Sequence, residues 1–304
     1  MNITKTKKIN WIDIKNPSKK DLDYLKKNFD FHPVTLKELL SPTLRPKVEH
    51  YDHYLYMVIH FPIYNSGKQT TESVETDFLI TKDTLVTVHY EELPPMKKIW
   101  GECHVDETSR EHNFGETTAF LLYNILQTLY NFSLRQLDHI SKKINQIENQ
   151  MFKEKGSEII VEKISFARRD VLDFRKTIKP QKTIINSLKI RGVEFFGKKM
   201  RPYFMDIIGD YMRVWNLLES HKETIQALRE TNDSLVSNRT NKIMKALTVF
   251  AVIVFPLTLL ATIFGMNAKN SPIIGHRYDF WIIFGFGLLA TFAMLIFFKR
   301  KKWI

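Results

Sequence analysis

ALTVFAVIVFPLTLLATIFGMNA, residues 246–268, contains no Asp, Glu, Lys, Arg or His. A helix rises about 1.5 Å per residue, so this run is long enough to cross a hydrocarbon core of roughly 30 Å. FWIIFGFGLLATFAMLIFF, residues 280–298, has the same character. Two buried helices of a soluble core would be the alternative, but uncharged runs of this length read as membrane spans. Working outward, Lys242 and Lys245 precede the first run, and Lys299, Arg300, Lys301 and Lys302 follow the second. The connecting loop, residues 269–279, holds only Lys269 and Arg277. Lys and Arg gather on the cytosolic side of a membrane. The pattern therefore predicts a multi-pass protein of the cell membrane with both termini in the cytosol. Trp281 and Trp303 stand where an aromatic belt belongs.

The averages over all 304 residues conceal this division: 26% of residues are charged and the net charge is +12. Basic patches serve nucleic acid as well as anionic lipid. Here the charge concentrates directly behind an apolar run, which points to the bilayer and not to nucleic acid. The single cysteine, Cys103, rules out an internal disulfide framework and a multi-cysteine metal site, and is expected to be a small buried residue. Lys5, Lys7 and Lys8 have no apolar core behind them, so no signal peptide is expected.

Residues 1–245 are expected to be a cytosolic α+β domain. Over residues 1–113 the reading is a mixed α/β unit. Ser18 caps a helix through Leu22 and Leu25, and Pro33 opens another that ends near Pro42. YLYMVIHF, VETDFLIT and TLVTVHY read as strands, the first two joined by a turn at Asn65-Ser66-Gly67. Residues 114–199 read as a helical hairpin. Its first helix runs from Phe114 to about Lys155, with apolar residues such as Leu122, Ile125, Leu129, Ile140, Ile144 and Met151 on one face. A Gly156-Ser157 turn follows, and the second helix is broken or restarted at Pro180. Pro202 opens a third helix that continues unbroken to the end of the first span. At 1.5 Å per residue it is roughly 90 Å long, so residues 200–245 form a stalk outside the bilayer. The first span with its ending occupies 246–268, the external loop 269–279, the second span 280–298 and a basic tail 299–304.

One line of positions along the long helix repeats in steps of three and four: Glu230, Ser234, Ser237, Asn241, Met244, Thr248, Ala251, Phe255, Thr258 and Thr262. Most are small or polar, and the line continues into the membrane. A polar stripe must face protein or water there. Two readings fit: close helix packing through small residues, or a path enclosed by a ring of subunits that each turn this face to a common axis. In the second, Met244 and Phe255 are apolar constrictions that gate by dewetting.

The first span ends Phe264-Gly265-Met266-Asn267. This resembles the Gly-Met-Asn signature of the CorA magnesium channels, at the outer end of the first of two C-terminal spans. PLTLLATIFGMN, the terminal KRKKWI, Arg45-Pro46-Lys47-Val48-Glu49 and Ser237-Asn238-Arg239-Thr240-Asn241 are similar to segments of the same family. The resemblance covers nearly the whole chain. It implies a funnel-shaped homopentamer whose stalk helices line the pore, carrying Mg²⁺, with Co²⁺ and Ni²⁺ as further cargo, driven by the membrane potential without ATP. It implies a filter at Gly265, Met266 and Asn267, where neutral amides meet the tightly held water of Mg²⁺. Gating by cytosolic Mg²⁺ between neighbouring subunits falls on Glu38 and Asp206. A second family carboxylate is replaced by Gln127, and Lys269 and Arg277 stand where relatives are acidic outside. No cofactor beyond the transported and regulatory ion is implied. A Zn²⁺ transporter of the same fold is the nearest alternative function, and a membrane-tethered interaction protein a more distant one.

Gly192-Val193-Glu194-Phe195-Phe196-Gly197-Lys198 has the glycine spacing of a phosphate loop, but Lys199 replaces the required Ser or Thr and no strand precedes it. His50 with His53, or His104 with His112, lack the cysteine or acidic partners of a zinc site. No nucleophile–base pair stands out, so no enzyme is expected.

Overall fold

The structure is a computed structural model that describes residues 1–43, 45–65, 70–154, 158–266, 273, 275, 277–301 and 303. The chain divides into two compact units, Met1–Arg229 and Glu230–Ile304.

The first unit is built on a six-stranded sheet in the order β1-β2-β6-β5-β4-β3. The strands are β1 (Asn2–Lys5), β2 (Asn10–Lys15), β3 (Lys47–His50), β4 (Leu55–Asn65), β5 (Thr70–Ile80) and β6 (Thr84–His89). Only β2 and β6 run parallel; the other neighbours are antiparallel. β4, β5 and β6 are the three strands expected from their β-branched and aromatic runs. β1, β2 and β3 are additions. NWIDIK of β2 hides its nature because Asp13 interrupts an otherwise apolar run. Asp13 is buried and satisfied from β6: the Thr87 hydroxyl donates to it at 2.6 Å, and His89 Nε2 lies 3.4 Å away.

Helices α1 (Lys19–Asn28) and α2 (Pro33–Glu38) cover one face, sending Leu25, Leu36 and Leu39 into a core with Ile12, Ile14, Tyr56, Val58, Leu79, Val86 and Val88. Ser18 caps α1 as expected, and Asp21 completes a capping box by accepting from the Ser18 backbone. α2 stops at Glu38, short of Pro42, where the chain tightens into 3-10-type bonds, Leu40 N–H to Lys37 O at 3.3 Å and Ser41 N–H to Glu38 O at 3.4 Å.

The other face carries the remaining helices. α3 (Pro94–Val105) and α4 (Glu107–Phe114) precede the hairpin of α5 (Thr118–Glu154) and α6 (Glu158–Ile178), followed by α7 (Gln181–Phe196). The expected helix from Phe114 is corrected here: Phe114 ends α4, and Gly115 at φ 58 reverses the chain before α5 starts at Thr118. Trp11 meets Trp100 and Phe114 edge-on, and Phe61 meets Tyr130. The Tyr130 hydroxyl donates to Gln181 Oε1, and Gln181 Nε2 donates to His60 O. Sheet and hairpin thus share one interior. Pro180 sits at the N-cap of α7, the expected break. Cys103 is buried, as expected, with its thiol pushed up to about 11 chiefly by that burial. Ser66, Gly67, Gly156 and Ser157, assigned to turns from sequence, lie outside the described residues.

Asp77 on β5 is fully buried; Tyr90 donates to Oδ2 at 3.2 Å, and Oδ1 has no partner among the described residues. Burial, reinforced by the nearby Glu75 charge, raises its pKa well above the carboxylate range. A carboxyl whose folded pKa is raised supports the fold while protonated, and that support is lost as pH rises through the folded value. Asp77→Asn, an isostere of the protonated form, is expected to match wild type in acid. It should gain on it above, by up to about 1.4 kcal/mol per pH unit while the unfolded carboxyl ionises and the native one still holds its proton. Thermal unfolding of the two proteins across a pH series measures this; curves that stay parallel would refute it.

Helix α8 (Arg201–Phe264) begins with Pro202 in its first turn, as expected, and continues without a break past Pro256. α9 (Asp279–Arg300) is the last helix. Both are long and apolar enough to cross a membrane.

Candidate functional site

Within the second unit the stripe can be placed residue by residue. Glu230, Ser234, Ser237, Asn241, Met244, Thr248, Ala251, Phe255, Thr258 and Thr262 are all exposed in the single chain, Met244 by 55% and Phe255 by 74%. Leu257, Leu260 and Ala261 of α8 instead share a cleft of about 330 Å³ with Phe280, Ile283, Phe284, Gly287, Leu288 and Thr291 of α9. At about 100° per residue, those three α8 side chains lie roughly opposite Phe255, Thr258 and Thr262. The second span therefore packs on the side of α8 that carries Leu257, Leu260 and Ala261; the stripe stays open, as do apolar residues such as Leu247, Phe250, Leu259 and Ile263.

Threonine chemistry tempers the cost of that stripe. Thr248 donates to Met244 O at 2.8 Å, Thr258 to Val254 O at 3.0 Å and Thr262 to Leu259 O at 2.8 Å. Each hydroxyl proton is thus satisfied inside its own helix, and what the stripe offers outward is oxygen lone pairs. Such a surface can accept hydrogen bonds from the water shell of a cation.

At the end of α8, Gly265 N–H bonds to Ala261 O at 2.9 Å, and a Cβ at Gly265 would stand 3.1 Å from that oxygen. The turn is tight enough to favour glycine. Met266 follows, 65% exposed. Asn267, the third residue assigned to the filter, lies outside the described residues, as do Lys269 of the loop and Lys302 of the tail. Lys299, Arg300 and Lys301 close and follow α9.

The two carboxylates Glu38 and Asp206 each have a partner that sequence did not suggest. Glu38 Oε2 is 2.7 Å from Lys47 Nζ, which also lies 3.0 Å from Glu49 Oε1 and sits over the Tyr56 ring. Burial works against the Lys47 charge, but the two carboxylates outweigh it and raise its pKa. Asp206, exposed on α8, accepts from the Tyr123 hydroxyl at 2.8 Å, and Gln127 Nε2 donates to the same hydroxyl at 2.9 Å. Burial and the Asp206 charge push the Tyr123 phenol up to about 12. One turn along, Asp210 is buried and paired with Arg213, and burial raises its pKa. Gln127, noted only as a missing carboxylate, is thus hydrogen-bonded into the Asp206 network. Tyr123 is one helical turn from Gln127, which is the only signal that could have revealed it.

Against a regulatory divalent ion the fit is mixed. Asp206 presents a hard, accessible oxygen donor of the kind Mg²⁺ takes. Glu38 is already neutralised by an ammonium of its own chain. Among the described residues no three His, Cys, Asp or Glu side chains converge on one point.

Comparison with known proteins places these features. A sequence model of the family described as CorA-like Mg²⁺ transporter protein matches residues 6–300. The cobalt/magnesium transport protein CorA of Thermotoga maritima is 26% identical over 299 residues, covering 97% of this chain and 83% of that protein. Among solved structures, the CorA magnesium transporter of Methanocaldococcus jannaschii superposes with a TM-score of 0.84 at 21% identity, over 98% of this chain and 92% of that one. The cytoplasmic domain of ZntB from Vibrio parahaemolyticus shares the fold of 78% of this chain, with a TM-score of 0.62 at 16% identity, over 90% of its own length. With the family match running from the sheet through both apolar helices, this chain belongs to the CorA-like Mg²⁺ transporter family, a family of metal-ion transporters and not of enzymes.

Proposed function

We propose that the chain assembles as a homo-oligomer, a pentamer, in the cell membrane with both termini in the cytosol, and forms a passive Mg²⁺ uptake channel. The observation that carries this reading is the α8 stripe, left open by its own second span and lined with outward-facing oxygen lone pairs. A ring of such faces encloses a path that a hydrated cation can enter without losing its water. Support for Mg²⁺ and Co²⁺ as cargo comes from the family and from the T. maritima relative. No ATP is needed, because a divalent ion gains roughly 4.6 kcal/mol per 100 mV of inside-negative potential.

Gly265, Met266 and Asn267 form the filter in this reading, and Met244 and Phe255 the gate. Glu230 and Asn241 face the path on the cytosolic side. The decisive experiment is flux into liposomes carrying the purified protein, comparing Mg²⁺, Co²⁺, Ni²⁺ and Zn²⁺. Saturable Mg²⁺ entry that accelerates with inside-negative potential is expected; entry of Zn²⁺ alone would reassign the cargo, and no flux would leave only a tethered interaction protein. In the same assay Met244→Ser is expected to raise the basal leak at high internal Mg²⁺, because a hydroxyl wets a constriction that thioether groups keep dry. A leak equal to wild type would remove Met244 from the axis.

Cytosolic Mg²⁺ is proposed to regulate this path through Asp206 and Glu38 of adjacent subunits. An ion bound there supplies positive charge that offsets two carboxylates. Lys47 competes for one of those carboxylates within its own chain.

A further inference from the structure

Trp303 is placed in a way the transport reading does not use. Trp303 N–H bonds to Phe298 O at 3.0 Å, and its indole stacks on the Phe298 ring at 5.8 Å. This brings Trp303 to a cavity of about 430 Å³ that it lines together with Lys242, Lys245, Ala246 and Val249 of α8. At about 100° per residue these four α8 residues centre roughly 130° around the helix from Met244 and Thr248. The cavity therefore opens away from the stripe.

Its electrostatics are one-sided. The sequence has no Asp or Glu from Ser234 to Tyr278 or from Phe280 to Ile304, while Arg239, Lys242, Lys245, Lys299, Arg300 and Lys301 crowd this end. Neither Lys242 nor Lys245 has a carboxylate partner among the described residues, and the Trp303 indole N–H has no acceptor there. Ammonium groups beside one another repel, and no ion pair among the described residues offsets these two. Immediately past the lysines the wall turns apolar at Ala246 and Val249, where the uncharged run begins. Cationic donors above, an indole at the rim and apolar side chains below match one ligand chemistry: a phosphate ester attached to acyl chains.

We propose that this cavity is a binding site for the headgroup of an anionic phospholipid in the leaflet that contacts the basic end of the spans. Lys242 and Lys245 pair with the phosphate, and Trp303 donates its indole N–H. The proposal rests on the membrane reading of α8 and α9. Basic residues near a membrane surface contribute about a factor of five each at moderate salt, so two lysines give roughly a thirty-fold preference for anionic over zwitterionic lipid.

The test uses the full chain in phosphatidylcholine vesicles with a minor fraction of phosphatidylglycerol, one or the other lipid carrying brominated acyl chains. Bromine quenches nearby tryptophan, and the difference between wild type and Trp303→Phe isolates Trp303. Brominated phosphatidylglycerol is expected to quench this component far beyond its mole fraction. The excess should vanish in Lys242→Gln/Lys245→Gln and persist in Lys242→Arg/Lys245→Arg, which retains the charge and controls for folding. Quenching of Trp303 in proportion to mole fraction by both lipids would overturn the site while sustaining the membrane reading. Quenching by neither lipid of any tryptophan would overturn both. An excess that survives Lys242→Gln/Lys245→Gln, or that added inorganic phosphate removes, would overturn the assignment to these lysines or to lipid.

Discussion

Asn267→Ala is expected to abolish Mg²⁺ flux, reducing it to the background of empty liposomes, in a protein that still assembles. Mg²⁺ dehydrates reluctantly, so a filter for it must read the outer face of its water shell. A side-chain amide offers both a carbonyl acceptor and N–H donors at the same place and carries no charge. A ring of them orients the shell without holding the ion so strongly that it cannot leave. The methyl group of alanine removes every hydrogen-bonding atom and leaves a wider, apolar mouth. Ahead of Asn267 in the chain, α8 ends at Phe264, and a Cβ at Gly265 would stand 3.1 Å from Ala261 O. Entry of Mg²⁺ reported by a trapped indicator dye, with the oligomer checked by size-exclusion chromatography, measures the effect. Wild-type flux through a correctly assembled variant would remove Asn267 from the filter. Asn267→Asp separates charge from shape, because a carboxylate ring keeps the acceptors but is expected to hold the ion and slow its passage.

What could be read from sequence and what could not divides along the range of the interactions. The spans and the stripe announce themselves because hydrophobicity and helical spacing are local, and the structure keeps both helices with the stripe uncovered. β4, β5 and β6 were visible for the same reason. β2 was not, since Asp13 is tolerable in a buried strand only with Thr87 and His89 opposite it on β6, and those residues are more than seventy positions away. His89 is itself a product of that pairing: burial alone would lower its pKa, and the Asp13 carboxylate outweighs burial and raises it. The carboxylates tell the same story. Glu38 and Asp206 stand out only by resemblance, and no local pattern shows that Lys47 holds the first or that Tyr123 holds the second. Long-range pairing of this kind decides whether an acidic side chain is free to take a cation.

That distinction yields the second large effect. If Glu38 takes part in Mg²⁺ sensing, Lys47 is its resident competitor, and the two substitutions act in opposite directions. Glu38→Ala is expected to eliminate protection of the first unit from proteolysis by Mg²⁺, because one of the two carboxylates proposed to share the ion is gone. Lys47→Met is expected to shift the protective Mg²⁺ concentration downward. Methionine keeps an apolar stem over Tyr56 and deletes only the ammonium that now lies 2.7 Å from Glu38 Oε2. The size of the shift follows from the pair being part-exposed, with side-chain exposures of 19% for Lys47 and 33% for Glu38. Ion pairs in such settings contribute up to about 1 kcal/mol, so releasing Glu38 corresponds to a shift of up to about fivefold. A Mg²⁺ titration followed by limited proteolysis reads both variants without any flux. Asp206→Lys provides the complementary arm, since a tethered ammonium in place of the exposed carboxylate should hold the closed form without the ion. Protection identical to wild type in Glu38→Ala would place the sensor elsewhere. Loss of protection in Glu38→Ala with no shift in Lys47→Met would keep Glu38 in the sensor and reduce Lys47 to a structural partner of Glu49 and Tyr56.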